Sequence, residues 1–228
     1  NIHLRTVKTM FSYYKKMNKM KDIPLIQKLS VPKSDPIYIT DCEFSALMKL
    51  PWLDAFYKKA FIFYRATGMR LREPQISMLN GSWIDIPNTS KGKLGRNIEL
   101  DIPLQTIFIE IKEWLDSGYG SKIKDVGDHL SKKFKKALIA IEADDRKHFH
   151  SLRHTYAVRN LLKGTTIYEL KLLMGHSSVT TTEVYSNMNL KRVSQDFPKL
   201  ANLYISKAKI ETMDTDMMDI IKYSGTYN

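Results

Sequence analysis

Apolar side chains at Leu4, Val7, Phe11 and Tyr14 recur at three- and four-residue spacing, which predicts an amphipathic helix over residues 2–17. So short a helix cannot bury its stripe alone, so it is expected to belong to a domain whose remainder lies upstream. Pro24, Pro32 and Pro36 interrupt both helix and central strand, and residues 22–39 read as an interdomain linker. Thr40 and Glu43 then have the spacing of a capping box, followed by Phe44, Leu47 and Met48 on one face. A further helix is expected from about Leu53 to Thr67, with Gly68 placed to end it. The pattern changes to alternation around Ser82–Ile86 and Asn97–Ile102, and the Gly-containing stretch 89–96 between them suits a turn. A small antiparallel sheet presenting lysines at or beside that turn is therefore expected. Helical spacing returns over about 104–116, 125–141, 150–163, 166–174 and 178–186, with another helix-compatible stretch at 199–210. An acidic, Met-containing tail follows.

This pattern is α+β and mostly helical. Its 228 residues are enough for one substantial core. Composition adds a bias in partner: 36 Lys and Arg against 24 Asp and Glu give a formal charge of +12. Such a balance favours a polyanion, because phosphate contacts release counterions. The single cysteine, Cys42, rules out an intramolecular disulfide and a Cys-rich metal site, and fits a reducing cytoplasm. No apolar run approaches the roughly 20 residues of a membrane span.

Four segments could carry chemistry. Arg70 follows Thr67-Gly68 just past a helix end, and Glu73 lies three residues on. His150, Arg153 and His154 share a helix face. The His150/His154 pair resembles a zinc pair, but no Glu follows His150 and no Cys cluster supplies further ligands. Gly175-His176 ends one helix and starts the next, and Tyr185 stands nine residues beyond His176. Singly, each has a bland explanation: a structural surface charge at Arg70, an ordinary surface histidine at His154, a tyrosine half-buried with its hydroxyl wet.

Together, their order and spacing resemble the tyrosine recombinase (phage integrase) family over roughly residues 37–190. The family pattern is an Arg after Thr-Gly, a hairpin Lys, His-x-x-Arg, Gly-His, and a Tyr nine positions beyond that His. Here these are Arg70, Lys91, His150 with Arg153, His176 and Tyr185. Glu73 fits the acidic position that accompanies the first Arg. Pro74 departs from the usual helix-compatible apolar residue, so the local helix is expected to start later. Lys93 competes with Lys91 for the hairpin role.

The resemblance implies a recombinase catalytic domain over residues 37–210, preceded by the end of a helical core-binding domain and linker (1–36) and followed by a tail (211–228). It implies site-specific DNA strand exchange through a 3′-phosphotyrosine formed by Tyr185. Arg70, Arg153 and His176 would stabilise the phosphorane, His150 would support the tyrosine by hydrogen bonding and as a proton acceptor, and Lys91 would protonate the leaving 5′-hydroxyl. Lys93, Arg96, Lys132, Lys133 and Lys136 are the expected DNA contacts. No cofactor and no metal are implied. The implied partner is double-stranded DNA bearing specific recombination sites, with a homotetramer in synapsis, a monomer off DNA and no membrane association. The expected setting is the cytoplasm and nucleoid of a bacterial or phage-infected cell, in the service of a mobile element. A type IB topoisomerase-like relaxing enzyme and a catalytically inactive DNA-binding relative are the alternatives.

Overall fold

The structure, a computed structural model, describes residues 2–27, 35–88, 94–117 and 126–201. The chain divides into two compact units, residues 1–34 and 35–228. In the first, α1 spans Ile2–Lys16, and Lys15 and Lys16 in its last turn complement the helix dipole.

The second unit opens on α2 (Asp41–Lys49). Thr40 accepts from the Glu43 amide at 3.1 Å, and Glu43 accepts from the Thr40 amide at 2.9 Å, closing the capping box. Helix α3 (Ala55–Thr67) is the centre of the unit: Ala60, Phe61, Phe63 and Tyr64 are fully buried. It packs against the later helices α5 (Ile102–Asp116), α6 (Val126–Ala140) and α7 (Ser151–Leu162). Aromatic edges fix these contacts. Phe61 meets Phe134 at 4.8 Å and Tyr64 meets Phe149 at 4.8 Å, both T-shaped.

Between α3 and α5 stand the four-residue helix α4 (Glu73–Ile76) and a three-stranded antiparallel sheet in the order β1 (Met78–Asn80), β2 (Trp83–Ile86), β3 (Arg96–Glu99). Pro74 does not delay α4. It occupies the first turn, where its missing N–H is not needed. Strand β1 is absent from the sequence expectation because three residues are too few to display alternation. Strand β3 ends earlier than expected, at Glu99, because Asp101 accepts from the Leu104 amide at 2.9 Å and starts α5.

Helix α8 (Ile167–Leu173) begins with a second capping box, Thr166 with Glu169. The helix expected over 178–186 is instead two 3₁₀ turns, Val179–Thr181 and Glu183–Tyr185. The cause is local: Ser178 caps the Thr180 amide at 3.2 Å, and the β-branched run Val179-Thr180-Thr181-Thr182 crowds a regular α-helix. The short α9 (Leu190–Val193) follows. The expected helix at 199–210 is seen only as helical residues 198–201, and the rest lies outside the described residues, as does the tail 211–228.

Two hydrophobic clusters result. One gathers α2, α3, β2, α5 and α6, together with Phe149 and Leu152; the other joins Ala157, Val158, Leu161 and Leu162 of α7 to Leu170, Met174, Tyr185, Met188, Val193, Phe197 and Leu200. Helix α7 contributes to both, and its first turns carry the expected chemistry.

Gly68 ties this arrangement to backbone geometry. It ends α3 in the left-handed region (φ 62°), and a Cβ there would stand 2.4 Å from Tyr156 Cδ1. Gly68→Ala is therefore expected to lose about 3 kcal/mol or more, adding the left-handed penalty to displacement of a half-buried ring. Thermal melting should fall by roughly 10 °C; an unchanged melting temperature would contradict this.

Candidate active site

The site grows from two chain reversals, after Gly68 and at Gly175, that meet at Arg153 near the start of α7. After Gly68 the chain turns through Arg70, whose amide and guanidinium both donate to Glu73, at 2.7 and 2.6 Å. Glu73 is buried, 6% exposed, and also receives both terminal nitrogens of Arg96, at 3.1 and 2.7 Å. One carboxylate thus orients two guanidiniums. Burial pushes the Glu73 pKa up, but the hydrogen bonds and charge of Arg96, then those of Arg70, outweigh it and hold the group at about 2.

Arg153, in the first turn of α7, is 2% exposed. Its Nη1 donates to Gly68 O at 2.5 Å, and Nη2 donates to Met174 O and lies 3.2 Å from His176 Nε2. The guanidinium therefore pins the end of α3 to the end of α8. Its Nε is buried without a protein partner. Gly175 (φ 59°) brings His176 round: a Cβ there would lie 2.8 Å from Leu94 O and 2.9 Å from Arg96 Nη1, so only glycine lets this turn pass β3. His176 is 8% exposed, and its Nδ1 is 3.0 Å from Thr182 Oγ1. Because arginine only donates, Nε2 accepts from Arg153 and Nδ1–H donates to Thr182.

Tyr185 is 2% exposed, its ring a member of the second hydrophobic cluster. Its hydroxyl lies 2.7 Å from His154 Nδ1. The sequence reading put His150 behind the tyrosine and left His154 a surface explanation; the observed partner is His154, half-buried one residue after Arg153. The His150 ring stands edge-on to that of His154 at 5.0 Å, and His148 stacks on His150 at 6.3 Å. Burial pushes the Tyr185 phenol up, with a small opposing effect from Arg153. An adjoining cleft of about 220 Å³ is lined by Met69, Leu71, Ser131, His148, Phe149, His150 and Arg153.

The structure thus brings Arg70, Glu73, His150, Arg153, His176 and Tyr185 into one neighbourhood. Lys91 and Lys93 lie outside the described residues. Arg96 corrects the sequence reading, which made it a DNA contact. It pairs across the sheet with Ile86, faces inward and gives both terminal nitrogens to Glu73, so the partner it has in the structure is that carboxylate and it lies off the exposed surface. Lys132 is exposed on α6. Lys133 and Lys136 lie over the Trp52 ring at 5.6 and 5.2 Å, leaving a cationic face with an aromatic floor. Thr182 and His154 are the residues that motif reading missed. His154 shares its helix face with His150 and Arg153, which was the one available signal.

Loss of water contact and then nearby positive charge lower three histidines to about 4: His150 (Arg153 foremost), His154 (His150 foremost) and His176 (Arg153 foremost). Between about pH 6.5 and 4 the unfolded chain then binds protons that the folded chain refuses, so stability falls as the pH drops through that window. His176 alone should cost on the order of 3 kcal/mol across it. Glu73 acts lower: its stabilisation is complete above the ordinary carboxylate range and is lost as pH falls toward 2. Urea titrations at pH 7, 5.5 and 4 should show stepwise loss, with the upper step reduced in His176→Asn; a flat profile would contradict these environments.

Residues 38–192 match the model of the phage integrase family. A tyrosine recombinase XerC of Herpetosiphon aurantiacus is 27% identical over 210 residues, covering 82% of this chain and 68% of that protein. A XerC of Chlamydia muridarum is 26% identical over 195 residues, covering 75% and 60%. Among solved structures, a XerH site-specific recombinase in a post-cleavage complex with palindromic difH substrate superposes with a TM-score of 0.55 at 20% identity, covering 82% of this chain and 62% of that one. At that identity the likeness is one of fold. The chain spans about three fifths to two thirds of the length of these proteins.

Proposed function

Because the chain belongs to the phage integrase family, we propose that it is a tyrosine recombinase that exchanges DNA strands at specific sites through a 3′-phosphotyrosine on Tyr185. The observation that carries this reading is the guanidinium pair. Arg70 and Arg153 are oriented independently, one by Glu73 and one by the carbonyls of Gly68 and Met174, and Arg153 lines a cleft of about 220 Å³. Two preorganised forks suit the non-bridging oxygens of a phosphodiester, and they need not reorganise as charge builds there.

In this reading Tyr185 attacks phosphorus and expels the 5′-hydroxyl, which takes its proton from Lys91. His176 joins the arginines once its Nε2 carries a proton. Bond energy is conserved in the phosphotyrosine, so a different 5′-hydroxyl reverses the step. Lys132, Lys133 and Lys136 would follow the duplex backbone, with binding that weakens as salt rises. The domain division is read as a catalytic unit over 37–210 behind a helix of a core-binding domain, acting as a tetramer in synapsis and as a monomer off DNA. The service of a mobile element, read from the segment 150–190, would show as direct repeats flanking the gene.

A pool of nicked duplexes with a randomised centre tests the reading. Incubation with the protein, denaturation and recovery of protein-linked DNA should enrich a specific sequence. Retention of DNA with no covalent product would instead identify an inactive DNA-binding relative. Relaxation of supercoiled plasmid at no preferred site would identify a topoisomerase-like enzyme.

A further inference from the structure

The tyrosine needs a proton acceptor, and the structure offers one that the motif does not name. His154 Nδ1 is 2.7 Å from the Tyr185 hydroxyl, within the range at which a base can take the proton it faces. Arg153 and His154 are consecutive in the first turn of α7, so one rigid element presents both a phosphate-binding guanidinium and this imidazole. The His150 ring stands next to that of His154 at 5.0 Å, edge-on.

We propose that His154 is the general base for Tyr185, accepting the phenol proton at Nδ1 as the phosphodiester is attacked. This rests on the strand-exchange reading above. In the step, the Tyr185 O–H bond breaks and an Nδ1–H bond forms, leaving an imidazolium. The phenolate oxygen forms a bond to phosphorus while the bond from phosphorus to the 5′ oxygen breaks, and that oxygen leaves with the Lys91 proton. On reversal the imidazolium returns its proton to the tyrosine.

The electrostatics make the base conditional on substrate. The groups facing His154 are His148 and His150 ahead of α7, Arg153 on α7, His176 after α8, and Tyr185 itself. Burial above all, and then repulsion by His150, His148, Arg153 and His176 when these carry charge, disfavours imidazolium in the free chain. A phosphodiester held by Arg70 and Arg153 offsets part of that positive charge, so His154 becomes more basic once DNA is seated. The nucleophile is thereby kept neutral until a phosphate is present to attack.

Single-turnover cleavage of a nicked duplex, measured from pH 5 to 9 with the full chain, tests this. His154→Asn keeps a polar group near the Nδ1 position but supplies no base, whereas His154→Ala removes both. Each is expected to cleave about 10²–10⁴-fold more slowly at neutral pH. Each should also lose the fall in rate on the acid side that the unaltered chain shows. A 5′-bridging phosphorothioate, whose sulfur leaves without a proton, should restore neither variant but should restore Lys91→Ala. Cleavage by His154→Asn at the unaltered rate would show that the imidazole only holds the ring, and restoration by sulfur would move His154 to the leaving-group side. Either result overturns the base assignment alone. No covalent product from the unaltered chain would overturn the strand-exchange reading itself.

Discussion

Tyr185→Phe is expected to abolish the covalent protein–DNA product while leaving the fold and the affinity for duplex DNA in place. The ring belongs to the second hydrophobic cluster, and phenylalanine fills the same volume. The lost hydroxyl contact is the one to His154, worth about 1 kcal/mol as a single neutral hydrogen bond. Stability should therefore shift by no more than a few degrees. Cleavage should fall by at least about 10⁴-fold, as expected when a sole nucleophile is removed. Gel-shift titration and denaturing electrophoresis on the same nicked duplex read both quantities. Covalent product persisting in Tyr185→Phe would mean that another residue attacks.

Arg153→Lys should damage chemistry and fold together. The guanidinium reaches Gly68 O and Met174 O at once and lies 3.2 Å from His176, a span that a single ammonium cannot reproduce. At least one buried carbonyl would lose its partner, at about 1–3 kcal/mol. Burial and the charges of Arg70 and Arg96 already press against a cation there, and lysine gives up its proton far more readily. Cleavage should drop about 10²–10³-fold, the usual loss for one oxyanion donor. Melting should fall by several degrees in the same preparation. A lysine variant that melts and cleaves as the unaltered chain does would remove Arg153 from both roles.

The contrast between these two residues shows what sequence spacing can and cannot convey. Arg70, Arg153, His176 and Tyr185 were legible because their order along the chain is distinctive, although each alone looked structural. Their neighbours were legible only where the period was simple. The capping box at Thr40 and the helix end at Gly68 are local devices, and both stand where the sequence put them. Arg96 was misread because it follows a Lys- and Gly-rich turn. Yet it is two residues from Ile98 and so shares a strand face with it, a face that packs inward opposite Ile86 and Ile84. The segment 178–186 reads as a helix between its neighbours, but a serine cap and four β-branched residues tighten it into 3₁₀ turns. The contact of His154 with Tyr185 spans 31 residues of chain, and no local pattern encodes it.

Glu73 was foreseen as an accessory to the first arginine. What the fold adds is its second partner: the same carboxylate holds Arg96, which in turn lies under Gly175. The turn that delivers His176 and the turn that delivers Arg70 are thus connected through two buried side chains.

The most direct measurement is the identity of the atom joined to DNA. After reaction with a nicked duplex and digestion with nuclease and trypsin, mass spectrometry should find the nucleotide remnant on the peptide 172–191, with fragmentation placing it on Tyr185 and the link running to the DNA 3′ end. A remnant on any other residue, or a link to a 5′ end, would contradict the assignment of Tyr185 as the nucleophile.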